Sequence, residues 1–176
     1  VRRVQAQRVL ILGDLLHAPA GLTPSLVSTV GEALGALDVS LDVIPGNHDH
    51  RLHECAGPWT LNLLPLHHDE GPFRFTHGHL PSPADVPGFV WTGHFHPAAT
   101  LGSRADALRL PCFVVGETRA VPPAFYRMAA GARLAPQRGD RRFASDGTRV
   151  FACPDLPPGR ARENPTKSAR PSAIGM

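Results

Sequence analysis

The chain has only three cysteines, Cys55, Cys112 and Cys153. Odd in number and widely spaced, they form neither a disulfide framework nor a Cys-x-x-Cys zinc site. A reduced, cytoplasmic compartment, with the thiols as small packing residues, is the expectation that remains. No run of 18 apolar residues occurs, which excludes a membrane-spanning helix, and nothing at the start resembles a secretory leader. A basic excess on the body of the chain is missing as well. The net charge is +3, but Arg160, Arg162, Lys167 and Arg170 against Glu163 account for all of it, so residues 1–159 are neutral. Long-range attraction to phosphate is therefore weak. Arg127, Arg133, Arg138, Arg141 and Arg142 cluster in sequence, and a solvated surface is the preferred reading over a nucleic-acid footprint. Histidine is the last absence. The final 80 residues have none, and all ten lie between His17 and His96. That asymmetry places a site in the first half.

The apolar pattern is that of an α/β protein. Arg8-Val9-Leu10-Ile11-Leu12, closed by Gly13-Asp14, has the profile of a strand buried on both faces. Thr23 and Pro24 suit an N-cap and first turn, and Leu26, Val27, Val30, Ala33, Leu34 and Leu37 make one apolar face of a helix over 24–37. Val39 to Ile44 is the next strand, so the unit is a right-handed crossover between parallel strands. His50 to Thr60 is irregular, with room for a short helix. Leu61–Leu66, Pro72–Thr76 and Phe89–Thr92 read as further strands, separated by a proline-rich loop over Pro81–Pro87. Ala98–Leu101, Leu108–Val115 and Thr148–Cys153 read as strands of a second sheet. Residues 1–155 are expected to form one domain, and 156–176, with nothing to bury, a disordered tail.

Four strand ends carry metal-type residues: Asp14, then Asn47-His48-Asp49, then His77, then His94 and His96. Gly13, Gly46 and Gly93 precede three of them and Gly78 follows the fourth, allowing backbone close to a cation and a sharp exit from the strand. Taken alone, Pro45-Gly46-Asn47-His48-Asp49 is as well explained by an Asx-type turn. Four such coincidences at one kind of position point to a metal site. In extended chain residues two apart face one side, so His94 and His96 can share a centre. Imidazoles, a carboxylate and an amide oxygen without thiolate suit divalent Mn, Fe, Zn or Co. Asp14 is the carboxylate best placed to bridge two cations, which together can hold a hydroxide between them and grip a phosphoryl group.

Gly13-Asp14-x-x-His17, Gly46-Asn47-His48-Asp49, His77-Gly78 and Gly93-His94-x-His96, in this order, resemble the calcineurin-like metallophosphoesterases. Leu12-Gly13-Asp14-Leu15-Leu16-His17-Ala18, Arg109-Leu110-Pro111-Cys112-Phe113 and Pro122-Pro123-Ala124-Phe125 are similar to the bacterial ligase-associated DNA-damage-response endonuclease subfamily. The resemblance implies a four-layer αββα sandwich of two mixed sheets and two divalent ions, manganese foremost. It implies hydrolysis of a phosphodiester, DNA among the substrates, with repair partners of the ligase, helicase and exonuclease kinds. It makes Asp14 the bridging ligand, Asn47, His77 and His94 ligands of the second metal, and His96 a ligand of the first. His48 becomes the general acid, with Asp49 polarising it, and His17 lies near metals or substrate. His79 competes with His77, which the following glycine favours. A phosphomonoesterase or a nucleotide pyrophosphatase on the same scaffold is the alternative enzyme.

One departure stands out. The family opens with an Asp-x-His strand upstream of Gly-Asp, whereas residues 1–12 hold neither aspartate nor histidine, and the chain begins at Val1 without methionine. The expectation is an N-terminally truncated chain whose sheet lacks its first strand and whose first metal keeps only Asp14 and His96. Weak activity, or a catalytically impaired partner module, would follow.

Overall fold

The structure, a computed structural model, describes residues 1–18, 21–80, 88–102, 106–126 and 137–154, together with Gly131 and Leu134. The Pro81–Pro87 loop, Arg127, Arg133 and the tail lie outside the described residues.

After a one-turn 3-10 helix over Arg2–Val4, strand β1 (Arg8–Ile11) leads to helix α1 (Pro24–Gly35) and strand β2 (Ser40–Val43). Thr23 caps α1 as its sequence suggests, its hydroxyl accepting the Leu26 N–H at 3.2 Å. The helix ends at Gly35, short of Leu37, and Asp38 turns into the next strand with φ 53°. Helix α2 (His53–Ala56) and strand β3 (Leu61–Leu63) follow. β2 pairs in parallel with both β1 and β3, giving a three-stranded sheet of order β1-β2-β3. Among the described residues β1 is an edge of that sheet.

Side chains alternate across a strand, and the register assigns the two faces. Ile11, Val43 and Leu61 point one way, where they meet Leu16, Val27, Val30, Leu34, Leu52, Cys55 and Trp59 in a core beneath α1 and α2. The Trp59 indole N–H fastens the helices by donating to the Val27 carbonyl at 2.8 Å. Arg8, Asp42 and Asn62 point the other way. Arg8 pairs there with Asp42 of its own sheet and with Glu70 of the next, and Asn62 donates to Asp42 at 3.0 Å. Burial alone would push the Asp42 carboxyl up, but the Asn62 and Arg8 contacts outweigh it and hold it below the usual range.

The second sheet is larger than the sequence suggests. It begins at β4 (His67–Glu70), β5 (Phe73–Thr76) and β6 (Phe89–Thr92) and continues through β7 (Ala98–Gly102), β8 (Ala107–Val115), β9 (Arg119–Val121), β10 (Arg141–Ser145) and β11 (Val150–Ala152). Its order is β11-β10-β8-β9-β6-β5-β4, with β7 paired to the first half of β8. The β5-β6 and β6-β9 pairs are parallel and the others antiparallel, so the sheet is mixed. Ala99, Cys112, Val114, Val121 and Ala144 form its core. Two sheets are as the expected four-layer αββα sandwich requires; among the described residues the helices belong to the three-stranded sheet, whose pairs are both parallel, and the larger sheet is the mixed one.

Candidate metal centre

Parallel strands β1 and β2 of one sheet, and β5 and β6 of the other, bring their carboxyl ends together. This is where α/β sheets place their sites. β1 exits through Gly13, whose φ of +81° favours glycine, and a Cβ there would sit 2.5 Å from His77 Nδ1. β2 exits through Gly46, where a Cβ would come within 2.2 Å of Asp14 Oδ1 and 2.5 Å of the Asp14 amide. The loops touch through missing side chains. Asp14 itself holds φ 53°, a left-handed conformation aspartate tolerates better than most residues.

Four donor atoms converge at this junction. His77 Nε2 lies 3.1 Å from Asn47 Oδ1, 3.0 Å from His94 Nδ1 and 3.3 Å from Asp14 Oδ2. The ligand atoms of Asp14, His77 and His94 all fall within 4.8 Å of one another. His77 is 1% exposed, and its carbonyl is tied by the Thr92 hydroxyl and the His94 amide, each at 2.8 Å. Its other ring nitrogen, Nδ1, is 2.7 Å from the Leu12 carbonyl, which can only accept. Nδ1 therefore carries the proton, and the neutral ring turns an Nε2 lone pair toward the oxygens of Asn47 and Asp14. Burial pushes the His77 imidazole below its ordinary range, against the Leu12 contact and the Asp14 charge, which raise it. His94 Nδ1 can donate to that lone pair, while the Asn47 and Asp14 oxygens face it as acceptors, an arrangement a cation would relieve. One carboxylate, one amide oxygen and two imidazoles suit a borderline divalent ion. The backbone carbonyl behind His77 is the support that metal-binding histidines ordinarily have.

The fold is similar to a solved nuclease. The crystal structure of the Pseudomonas putida nuclease MPE superposes with a TM-score of 0.67 at 28% identity, covering 84% of this chain and 71% of that one. No family model matches the chain, and no curated protein matches it either.

The other predicted site residues surround the four donors in different ways. The His48 N–H donates to Asp14 Oδ1 at 3.0 Å, which leaves Oδ2 directed at His77. Its ring stacks on that of exposed His17, centroids 5.5 Å apart and planes at 27°. Asp49 is 5% exposed, and its oxygens accept the Leu16 and Gly46 amides, each at 2.8 Å. Among the described residues its side-chain hydrogen bonds are with these backbone amides, and they buckle the Asp14 loop to the Asn47 loop. His96 is half-buried with φ 43°, outside the convergent set among the described residues. His79 stands beside the site, its ring 5.2 Å from that of His77 and 6.4 Å from that of His94. Its buried Nδ1 has no hydrogen-bond partner among the described residues.

Two features escaped sequence reasoning. The role of the Leu12 carbonyl in setting the His77 tautomer depends on a contact between residues 65 apart. The partners of Asp49 depend on one 33 residues distant. Neither leaves a mark in local pattern.

Proposed function

We propose that this chain is a metal-dependent phosphodiesterase acting on nucleic acid. The observation that carries the reading is the convergence of Asp14 Oδ2, Asn47 Oδ1, His77 Nε2 and His94 Nδ1 on one point, with His77 fixed from behind by Leu12. The likeness to a nuclease structure supports the choice of substrate. These four residues would hold one divalent ion, with manganese the first to try. Asp14 and His96 would be the protein share of a second site, weaker because it has fewer donors among the described residues. A cation bound there supplies Lewis-acid stabilisation of charge on a phosphoryl oxygen.

The chain's own residues do the rest. His48, held beside Asp14 through its amide and stacked on His17, delivers a proton to the departing oxygen, as an imidazole can near neutral pH. Asp49 fixes both loops so that the donors meet without rearrangement.

Hydrolysis of bis-p-nitrophenyl phosphate and of DNA with added manganese tests the reading. The parent chain should turn over both, slowly because the second site has few protein donors among the described residues, and His77→Ala should lose both. Equal turnover by the parent and His77→Ala, or turnover confined to phosphate monoesters, would overturn it.

A further inference from the structure

Between two of the histidines at this site lies a residue with no part in metal binding. Phe95 follows His94, a donor of the convergent set, and precedes His96, whose left-handed φ of 43° turns the chain. Phe95 is 40% exposed. It does not wave freely: it stands edge-on to the His94 imidazole, centroids 5.4 Å apart and planes at 74°. Edge-to-face contact of this kind orients a ring. An apolar surface is therefore fixed beside a polar, metal-type centre, where burial cannot explain it.

We infer that Phe95 is a positioning residue that stacks a nucleobase next to the scissile phosphate. The inference rests on the phosphodiesterase reading above and deepens it, since it separates a nucleic acid from other phosphodiesters. A base offers a flat π-face of the right kind, and stacking on an exposed aromatic is how proteins hold bases without reading their edges. The other exposed aromatics do not compete for this role on the same grounds. Phe125, Tyr126 and Phe73 are more exposed, at 104%, 68% and 41%, and Phe151 nearly as exposed, but none of them has a ring contact with a donor histidine among the described residues. Because His94 is both the donor and the wall against which Phe95 rests, the position of the base is referenced to the metal-binding atoms. Sequence selectivity is not expected, because every base has a face to stack.

The test uses the full chain, manganese and a single-stranded oligothymidylate, with a 2-aminopurine-containing oligonucleotide as a binding probe. Alanine substitution of a stacking aromatic weakens binding by about 1–3 kcal/mol per base, or roughly 5–150-fold. Phe95→Ala should raise KM for the oligonucleotide within that range while kcat changes far less. Phe95→Trp should restore KM. Quenching of the 2-aminopurine fluorescence should be lost in the alanine variant and regained in the tryptophan variant. Manganese bound per chain should be equal in all three, which separates a stacking role from damage to the centre. Unchanged KM and unchanged quenching in Phe95→Ala, with the parent active, would overturn the stacking role alone. Failure of the parent both to bind and to cleave the oligonucleotide would overturn the nucleic-acid reading together with it.

Discussion

Asp49 is the residue at which geometry makes the sharpest demand. Its carboxylate accepts the Leu16 amide from the Asp14 loop and the Gly46 amide from the Asn47 loop, each at 2.8 Å, in a setting where Asp49 is 5% exposed. A hydrogen bond to a charged group contributes about 1.5–3 kcal/mol, and a buried amide left without a partner costs about 1–3 kcal/mol. Leu16 is 7% exposed, so water reaches its amide poorly after truncation. Asp49→Ala should destabilise the fold by about 3 kcal/mol, and Asp49→Asn, which keeps one acceptor oxygen, by about half of that. With a urea slope of about 2 kcal/mol per molar, the alanine variant should unfold about 1.5 M earlier. Manganese affinity should fall about 10–100-fold in the same variants, as it does when the residues that orient ligands are lost. Urea titration and manganese binding measure both effects. If both variants unfold within about 0.5 kcal/mol of the parent with manganese affinity intact, the clamp is wrong. In that event, a changed pH profile of kcat in Asp49→Asn would favour a direct action on His48.

Three further outcomes follow from the same contacts. Gly46→Ala places a Cβ 2.2 Å from Asp14 Oδ1, so manganese binding should be lost while the core of the second sheet stays intact, read by calorimetry and circular dichroism. Asp42 is held below its ordinary range, so its contribution to stability is fully present above the unfolded aspartate pKa near about 3.9 and is lost as pH falls through the folded value. Denaturant titrations should therefore show an acid-side loss of stability that Asp42→Asn reduces. Burial raises the Cys112 thiol to about 11, so Cys112 should resist iodoacetamide at pH 8 in the folded chain, while half-buried Cys153 reacts first, followed by mass spectrometry of the alkylated peptides.

How much was legible can be judged strand by strand. β1, β2, β5, β6 and β8 are apolar runs ending at glycine, proline or a polar turn, and each is where its pattern puts it. β4 is not an apolar run. Its His67-His68-Asp69-Glu70 sequence has no alternation to read, and it is held by pairing with β5 and by the Arg74–Asp69 and Arg8–Glu70 contacts. β10 begins with two arginines and reads locally as surface, yet Arg141 covers Phe143 at 5.0 Å and Arg142 donates to the Pro154 carbonyl. β9 is too short, at Arg119–Val121, to show a period. Each exists because a neighbour was already there to pair with.

The site divides along the same line. Asp14, Asn47, His77 and His94 were recoverable because glycine and a ligand-type residue recur together at strand ends, and strand ends share an edge of the fold. Their mutual distances follow from tertiary contacts alone. His77 and His79 are two residues apart in one sequence motif; the glycine after His77 favours it in the family pattern, but the Leu12 carbonyl that sets its tautomer lies 65 residues away. His96 shows the opposite case. Its spacing from His94 suggests a shared centre in extended chain, but its φ of 43° breaks that alternation.

The central claim is that four side chains, with His77 Nε2 among them, form one divalent-metal site. Manganese titration of the apo chain by calorimetry, repeated for His77→Ala and Asn47→Ala, tests it most directly. The account predicts one tight manganese ion per parent chain, no tight ion for His77→Ala and clearly weakened binding for Asn47→Ala, with all three proteins folded. Binding by His77→Ala as tight as that of the parent would contradict it.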